Sequence, residues 1–143
     1  MDLYEEIVGF YLNVFEGCFL LPQAPVKLGE NGKPLDLDAS GVKWEAYPDF
    51  IAIDFRKPRI QIVEVTKIRD KKRVKQRIEE KLDASYVANI DHWVRTVLPE
   101  SVRDLMITRR FFLRSEVIPE PIDARAEFSS LQTVFNAVRD RMP

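Results

Sequence analysis

A chain of 143 residues, 45% hydrophobic and 31% charged, has the size and composition of one globular domain, residues 1–143, with a core of its own. Its 22 Lys and Arg against 23 Asp and Glu leave a formal net charge of −1, which excludes a globally basic nucleic-acid binder and confines any such contact to a local patch. A single cysteine, Cys18, and a single histidine, His92, exclude an internal disulfide and any metal site built from several Cys or His ligands.

The first residues, Met1 to Glu6, are acidic and lack the basic start of a secretory leader. No apolar run approaches the ~18 residues that span a bilayer. The expectation is a cytoplasmic protein with no membrane partner. Residues 2–16 predict an amphipathic helix: Leu3, Ile7, Phe10 and Val14 recur at helical spacing, Tyr4, Tyr11 and Phe15 widen the stripe, and Gly17 ends it. Residues 18–21 read as a short buried strand stopped by Pro22, with Cys18 as a small core residue. Asn31-Gly32 signals a tight turn, so Val26–Leu28 and Pro34–Leu37 are expected to form a small hairpin. Two apolar runs, 49–55 and 60–66, read as strands joined by the turn Arg56-Lys57-Pro58-Arg59. Residues 69–98 predict helix with a break near Asp83-Ala84-Ser85, ended by Pro99. Residues 105–113 read as strand, Pro119 and Pro121 mark a loop, and 123–141 predict a closing helix. The order helix, strand, strand, strand, helix, strand, helix predicts an α/β (α+β) domain with a mixed central sheet flanked by helices.

The two central strands carry the chemistry. Asp49 begins the first and Glu64 lies inside the second, where an acid is costly unless paired or liganded. Two carboxylates beside a lysine suit holding a divalent cation against a phosphodiester: hard oxygens bind Mg²⁺ or Mn²⁺, and an ammonium group orients water and offsets developing charge. The acids also admit a plain reading, Asp49 as a turn acid and Glu64 as a solvated strand residue.

The residues Tyr47-Pro48-Asp49-Phe50-Ile51-Ala52-Ile53-Asp54, followed by Ile62-Val63-Glu64-Val65-Thr66-Lys67, resemble the "PD" and second acidic elements of the PD-(D/E)XK nuclease superfamily. The resemblance covers roughly residues 3–113. It implies a restriction-endonuclease-like αβββαβ core, which agrees with the predicted order. It implies metal binding of Mg²⁺ (or Mn²⁺) by Asp49 and Glu64, help from a first-helix acid matched by Glu5 with Glu6 as rival, and a lysine catalyst, Lys67. It also implies metal-dependent phosphodiester hydrolysis by an endodeoxyribonuclease, DNA as partner, and a homodimer as the common assembly. This chain departs from the pattern at one place. The family's lysine stands two residues after the second acid, where this chain has Thr66; Lys67 is one step late and, in a regular strand, faces away. Three readings follow: the strand ends or bulges after Val65 and turns Lys67 in, another lysine such as Lys71 or Lys43 substitutes, or the site is degenerate.

Lys67, Arg69, Lys71, Lys72, Arg73, Lys75, Arg77 and Lys81 follow, opposed only by Asp70, Glu79 and Glu80. Arg69, Lys71, Lys72, Arg73 and Lys75 are read as nucleic-acid contacts beside the site; a solvated helix face is the plain alternative. Strand alternation separates Arg109 from Arg110, so one of them at most joins that patch. His92, Trp44 and Trp93 are expected to be structural or surface residues. The alternatives to a nuclease are a degenerate member serving as a nucleic-acid-binding or assembly module, and an unrelated α+β interaction protein.

Overall fold

The Asp2 carboxylate accepts the Glu5 amide at 2.9 Å and so starts helix α1, Leu3–Phe10, by satisfying a donor that the first turn cannot. The computed structural model describes residues 2–22, 26–28, 44–46 and 48–142. After Phe10 the helix widens into a π segment, Tyr11–Phe15, and Gly17 then takes φ +68°, the left-handed conformation that glycine adopts without strain. The remaining elements are β1 (Phe19–Pro22), β2 (Val26–Leu28), β3 (Trp44–Ala46), β4 (Phe50–Asp54), β5 (Arg59–Val65), α2 (Lys71–Lys81), α3 (Ala84–Val97), the short α4 (Glu100–Arg103), β6 (Met106–Leu113), β7 (Glu127–Ser130) and α5 (Leu131–Arg141).

The fold is α+β: a five-stranded mixed sheet of order β1-β4-β5-β6-β7 flanked by helices. β4 runs antiparallel to β1 and β5, whereas β5, β6 and β7 run parallel. Val8 and Leu12 of the first helical segment and Leu131 and Val134 of α5 cover one face, over Phe50, Ala52, Val63 and Phe112. On the other face Ile90 and Val94 of α3 pack on Ile51, Ile53, Ile60 and Ile62, and Val74 and Ile78 of α2 pack on Phe111 and Leu113. The two-residue periodicity of β5 explains this division: Ile60, Ile62 and Glu64 share the α2–α3 face, and Gln61, Val63 and Val65 the other. Gly9 lets α1 lie close on the sheet, for a Cβ there would stand 3.0 Å from Phe50 Cζ.

Most of the expected elements stand where periodicity places them. The helix expected over 69–98 breaks at the expected place, because Asp83 caps α3 by accepting the Ser85 amide at 3.1 Å. The expected helix over 123–141 begins only at Leu131. Residues 127–130 extend instead along the open edge of β6, and the Ser130 side chain accepts the Thr133 amide to start α5. Strand pairing at an edge outweighs the weak helix preference of Ser129 and Ser130. β2 pairs antiparallel with β3, and Pro34–Leu37, the partner expected for Val26–Leu28, lies outside the described residues.

Candidate active site

The β4–β5 ladder pairs Phe50 with Val63, so one step further sets Asp49 across from Glu64 on the α3 side of the sheet. Asp49 Oδ2 accepts the Val65 amide at 2.7 Å, a bond that takes the place of the next ladder rung and fixes the carboxyl at the strand end. Glu5, in the first turn of α1, adds a third acid whose charge reaches Asp49. Thus the structure brings together Glu5, Asp49 and Glu64 from α1, the start of β4 and the end of β5. Glu6, the rival acid of α1, is exposed.

Burial dominates the electrostatics of the group. Asp49 is pushed up to about 6, by desolvation first and then by the Glu5 charge, against the lowering effect of the Val65 amide. Glu64 is pushed up to about 7 by desolvation, with Lys81 pulling it down, Asp49 pushing it up and Arg77 pulling it down. Glu64 is 6% exposed, and its Oε1, like Glu5 Oε2, is buried without a hydrogen-bond partner among the described residues. The ammonium group of Lys81 stands 3.5 Å from Glu64 Oε1, close enough for charge attraction and too far for a strong hydrogen bond.

Lys81 is the lysine of this site, and sequence reasoning counted it only within the basic run. β5 ends at Val65, as one of the three readings requires, and Thr66 closes a turn by accepting the Ile68 amide at 3.3 Å. The turn carries Lys67 to the start of α1, where its ammonium group lies 4.0 Å from Asp2 Oδ2 and 5.6 Å from the Tyr4 ring centroid. Lys71 lies on the exposed start of α2 and, with Lys75, lines a cavity of about 700 Å³ against residues 115–123. Lys43 lies outside the described residues. The field that reaches both Asp49 and Glu64 comes from the last residue of α2. A signal for it existed: Lys81 follows the buried Ile78 by three and so borders the buried stripe of its helix.

The three acids offer hard oxygen donors, and Glu64 Oε1 and Glu5 Oε2 make no hydrogen bond among the described residues. Among the described residues no three Asp, Glu, His or Cys side chains form a ready cage for a metal ion. Mg²⁺ does not require one, because it is commonly held by one or two carboxylates together with water and substrate phosphate. Asp49 and Glu64 are carboxylates of that kind, set opposite each other by the β4–β5 register.

The basic run divides by helical spacing. Arg73, Arg77 and Lys81 form one i, i+4 row that leads to Glu64, whereas Lys71 and Lys75 form another that faces the 115–123 cavity. Arg69, Lys71, Lys72, Arg73 and Lys75 are all exposed. Arg109 and Arg110 part as expected. Arg109 bonds Asp91 on the α3 side, and Arg110 is buried on the α1 side in a two-pronged pair with Glu16 at 2.6 and 2.9 Å. Arg110 lines a separate charged cavity of about 580 Å³ with Asp54, Arg56 and Arg59, away from the acids. His92 is exposed, Trp93 packs against the α3 core, and Cys18 is buried with its thiol pushed up to about 11 by desolvation. Among the described residues no helix is long and apolar enough to cross a membrane. No family model matches the chain, and no curated protein matches it in sequence.

Proposed function

We propose that this chain is a Mg²⁺- or Mn²⁺-dependent endodeoxyribonuclease of the PD-(D/E)XK type. The observation that carries the reading is the meeting of Glu5, Asp49, Glu64 and Lys81 at one end of the central sheet, with two buried carboxylate oxygens that make no hydrogen bond among the described residues. The order α1, β1, β4, β5, helix, β6, with β5 and β6 parallel, supports it as the expected core. Asp49 and Glu64 would hold the cation. When bound, that cation supplies Lewis-acid polarisation of the phosphate and of a water molecule. Glu5 offers its Oε2 to orient water. Lys81 offsets the charge that gathers on phosphate oxygens as water attacks phosphorus and the bond to the sugar oxygen breaks. The row Arg73, Arg77, Lys81 guides the phosphate backbone without reading sequence. A homodimer addressing two strands belongs to the same reading, and light scattering tests it.

Cleavage of plasmid and single-stranded DNA with Mg²⁺ or Mn²⁺, beside Glu64→Ala, tests the activity. Cleavage by the native chain and its loss in the variant are expected. One observation favours a second reading, a degenerate DNA-binding module: Thr66 stands at the lysine position of the strand, and Lys67 pairs with Asp2. Salt-sensitive DNA binding without cleavage selects that reading.

A further inference from the structure

Lys81 differs from a strand-borne lysine in how its direction is fixed. A strand side chain inherits its direction from the pleat, but Lys81 reaches the acids on a flexible four-carbon stem from the last turn of α2. Without an anchor, such an ammonium group samples many positions. Tyr86 supplies contacts on two sides. Its hydroxyl oxygen accepts from Lys81 Nζ at 3.1 Å, and its ring centroid lies 4.8 Å from the same nitrogen. The ammonium group thus stands between the phenol and Glu64 Oε1, which is 3.5 Å away.

The corner between α2 and α3 makes this contact rigid. Leu82 and Ile90 are buried in the core, and the Asp83 cap fixes the turn between them. Tyr86 packs against the α3 cluster, so its ring has little freedom. Burial first, and then the Glu64 charge, raises the phenol's pKa, so it stays protonated. Among the described residues Lys81 is the one hydrogen-bond partner of that hydroxyl group, whose own proton is left unspent.

We propose that Tyr86 is a positioning residue of this site, holding the Lys81 ammonium group over Glu64 where the scissile phosphate binds. This rests on the nuclease reading. Tyr86→Phe keeps the ring and removes only the hydroxyl group, which makes it a mild change for folding; an unchanged melting temperature verifies that. The expected result is a fall in kcat of about 10- to 100-fold, the loss expected for a hydrogen bond to a charged group. KM for DNA and calorimetric Mn²⁺ affinity should stay within about two-fold, because neither Asp49 nor Glu64 has lost a direct contact. A second readout needs no activity. Amine acylation followed by mass spectrometry should show Lys81 labelled several-fold faster in Tyr86→Phe, with Lys71 and Lys75 unchanged as internal controls. Unchanged Lys81 labelling overturns the proposal, whether or not kcat falls. If the native chain cleaves no DNA, the nuclease reading fails by itself, and faster labelling then still supports the Tyr86 anchor while unchanged labelling removes it.

Discussion

At Thr66 the chain has a small hydroxyl residue where a lysine would share the face of Glu64, and the lysine that stands beside Glu64, Lys81, comes from another element. Asp49 and Glu64 were legible in the sequence because strand alternation and a short turn suffice to place them opposite each other. Lys81 was not, because its place depends on the α2–α3 corner, which brings together residues that no local period relates. Lys67 lies beside Asp2 because the turn at Thr66 redirects the backbone toward α1. The acids also give a pH prediction. Asp49 at about 6 and Glu64 at about 7 lie above their ordinary values of 3.8 and 4.5. Well below the ordinary Asp value of 3.8, folded and unfolded chains both hold these protons. As pH rises from about 4 to about 7 the unfolded chain releases them first, so folding stability falls across that window. Glu64→Gln keeps the shape of the neutral acid and should escape its share of this loss. In metal-free melts the variant should gain on the native chain between pH 4 and pH 7.5, reaching on the order of 2 kcal/mol. A difference that does not grow with pH contradicts the burial of Glu64 as an unfavourable charge.

Among the elements, α2 presents cations on two separate faces. Val74 and Ile78 anchor it, and its cations divide into a row toward the acids and a row toward the 115–123 cavity. If the first row follows the phosphate backbone, Arg73→Ala with Arg77→Ala should weaken binding equally for unrelated DNA sequences. The slope of log affinity against log salt should also drop by about 2, one unit per lost phosphate contact. Lys71→Ala with Lys75→Ala should change the slope less, and fluorescence anisotropy across a salt series compares the pairs. The opposite ranking would move the DNA path to the cavity side. The Asp83 cap belongs to the same element pair: Asp83→Ala should cost about 1 kcal/mol in urea melts and lower kcat by loosening the corner that presents Lys81. Periodicity read α2 and α3 well because both carry buried stripes. It missed β7 because a four-residue edge strand is decided by the strand beside it, and Ser129-Ser130 has no strong preference of its own.

For the whole molecule, the mixed sheet sets two charged groups apart. One end gathers Glu5, Asp49, Glu64 and Lys81; the charged cavity elsewhere gathers Glu16, Asp54, Arg59, Arg110 and Glu127. The second group is internally paired, with Arg110 also bonding Ser129 and the buried Gln61. Glu16→Ala should therefore destabilise folding by about 3 kcal/mol, since it strands a buried guanidinium group. Mn²⁺ affinity by calorimetry should not change; a loss of metal affinity would show that the two groups are coupled. The claim that joins all scales is that a helix-borne lysine works with two strand-borne acids on a phosphodiester. The most direct measurement is the initial rate of plasmid cleavage in Mg²⁺ and in Mn²⁺ for the native chain, Glu64→Ala, Lys81→Met and Lys67→Met. The prediction is cleavage by the native chain, a loss of at least about 100-fold in Glu64→Ala and Lys81→Met, and a rate within about three-fold of native in Lys67→Met. Cleavage that survives Lys81→Met and fails in Lys67→Met, or no cleavage by the native chain in either metal, would contradict it.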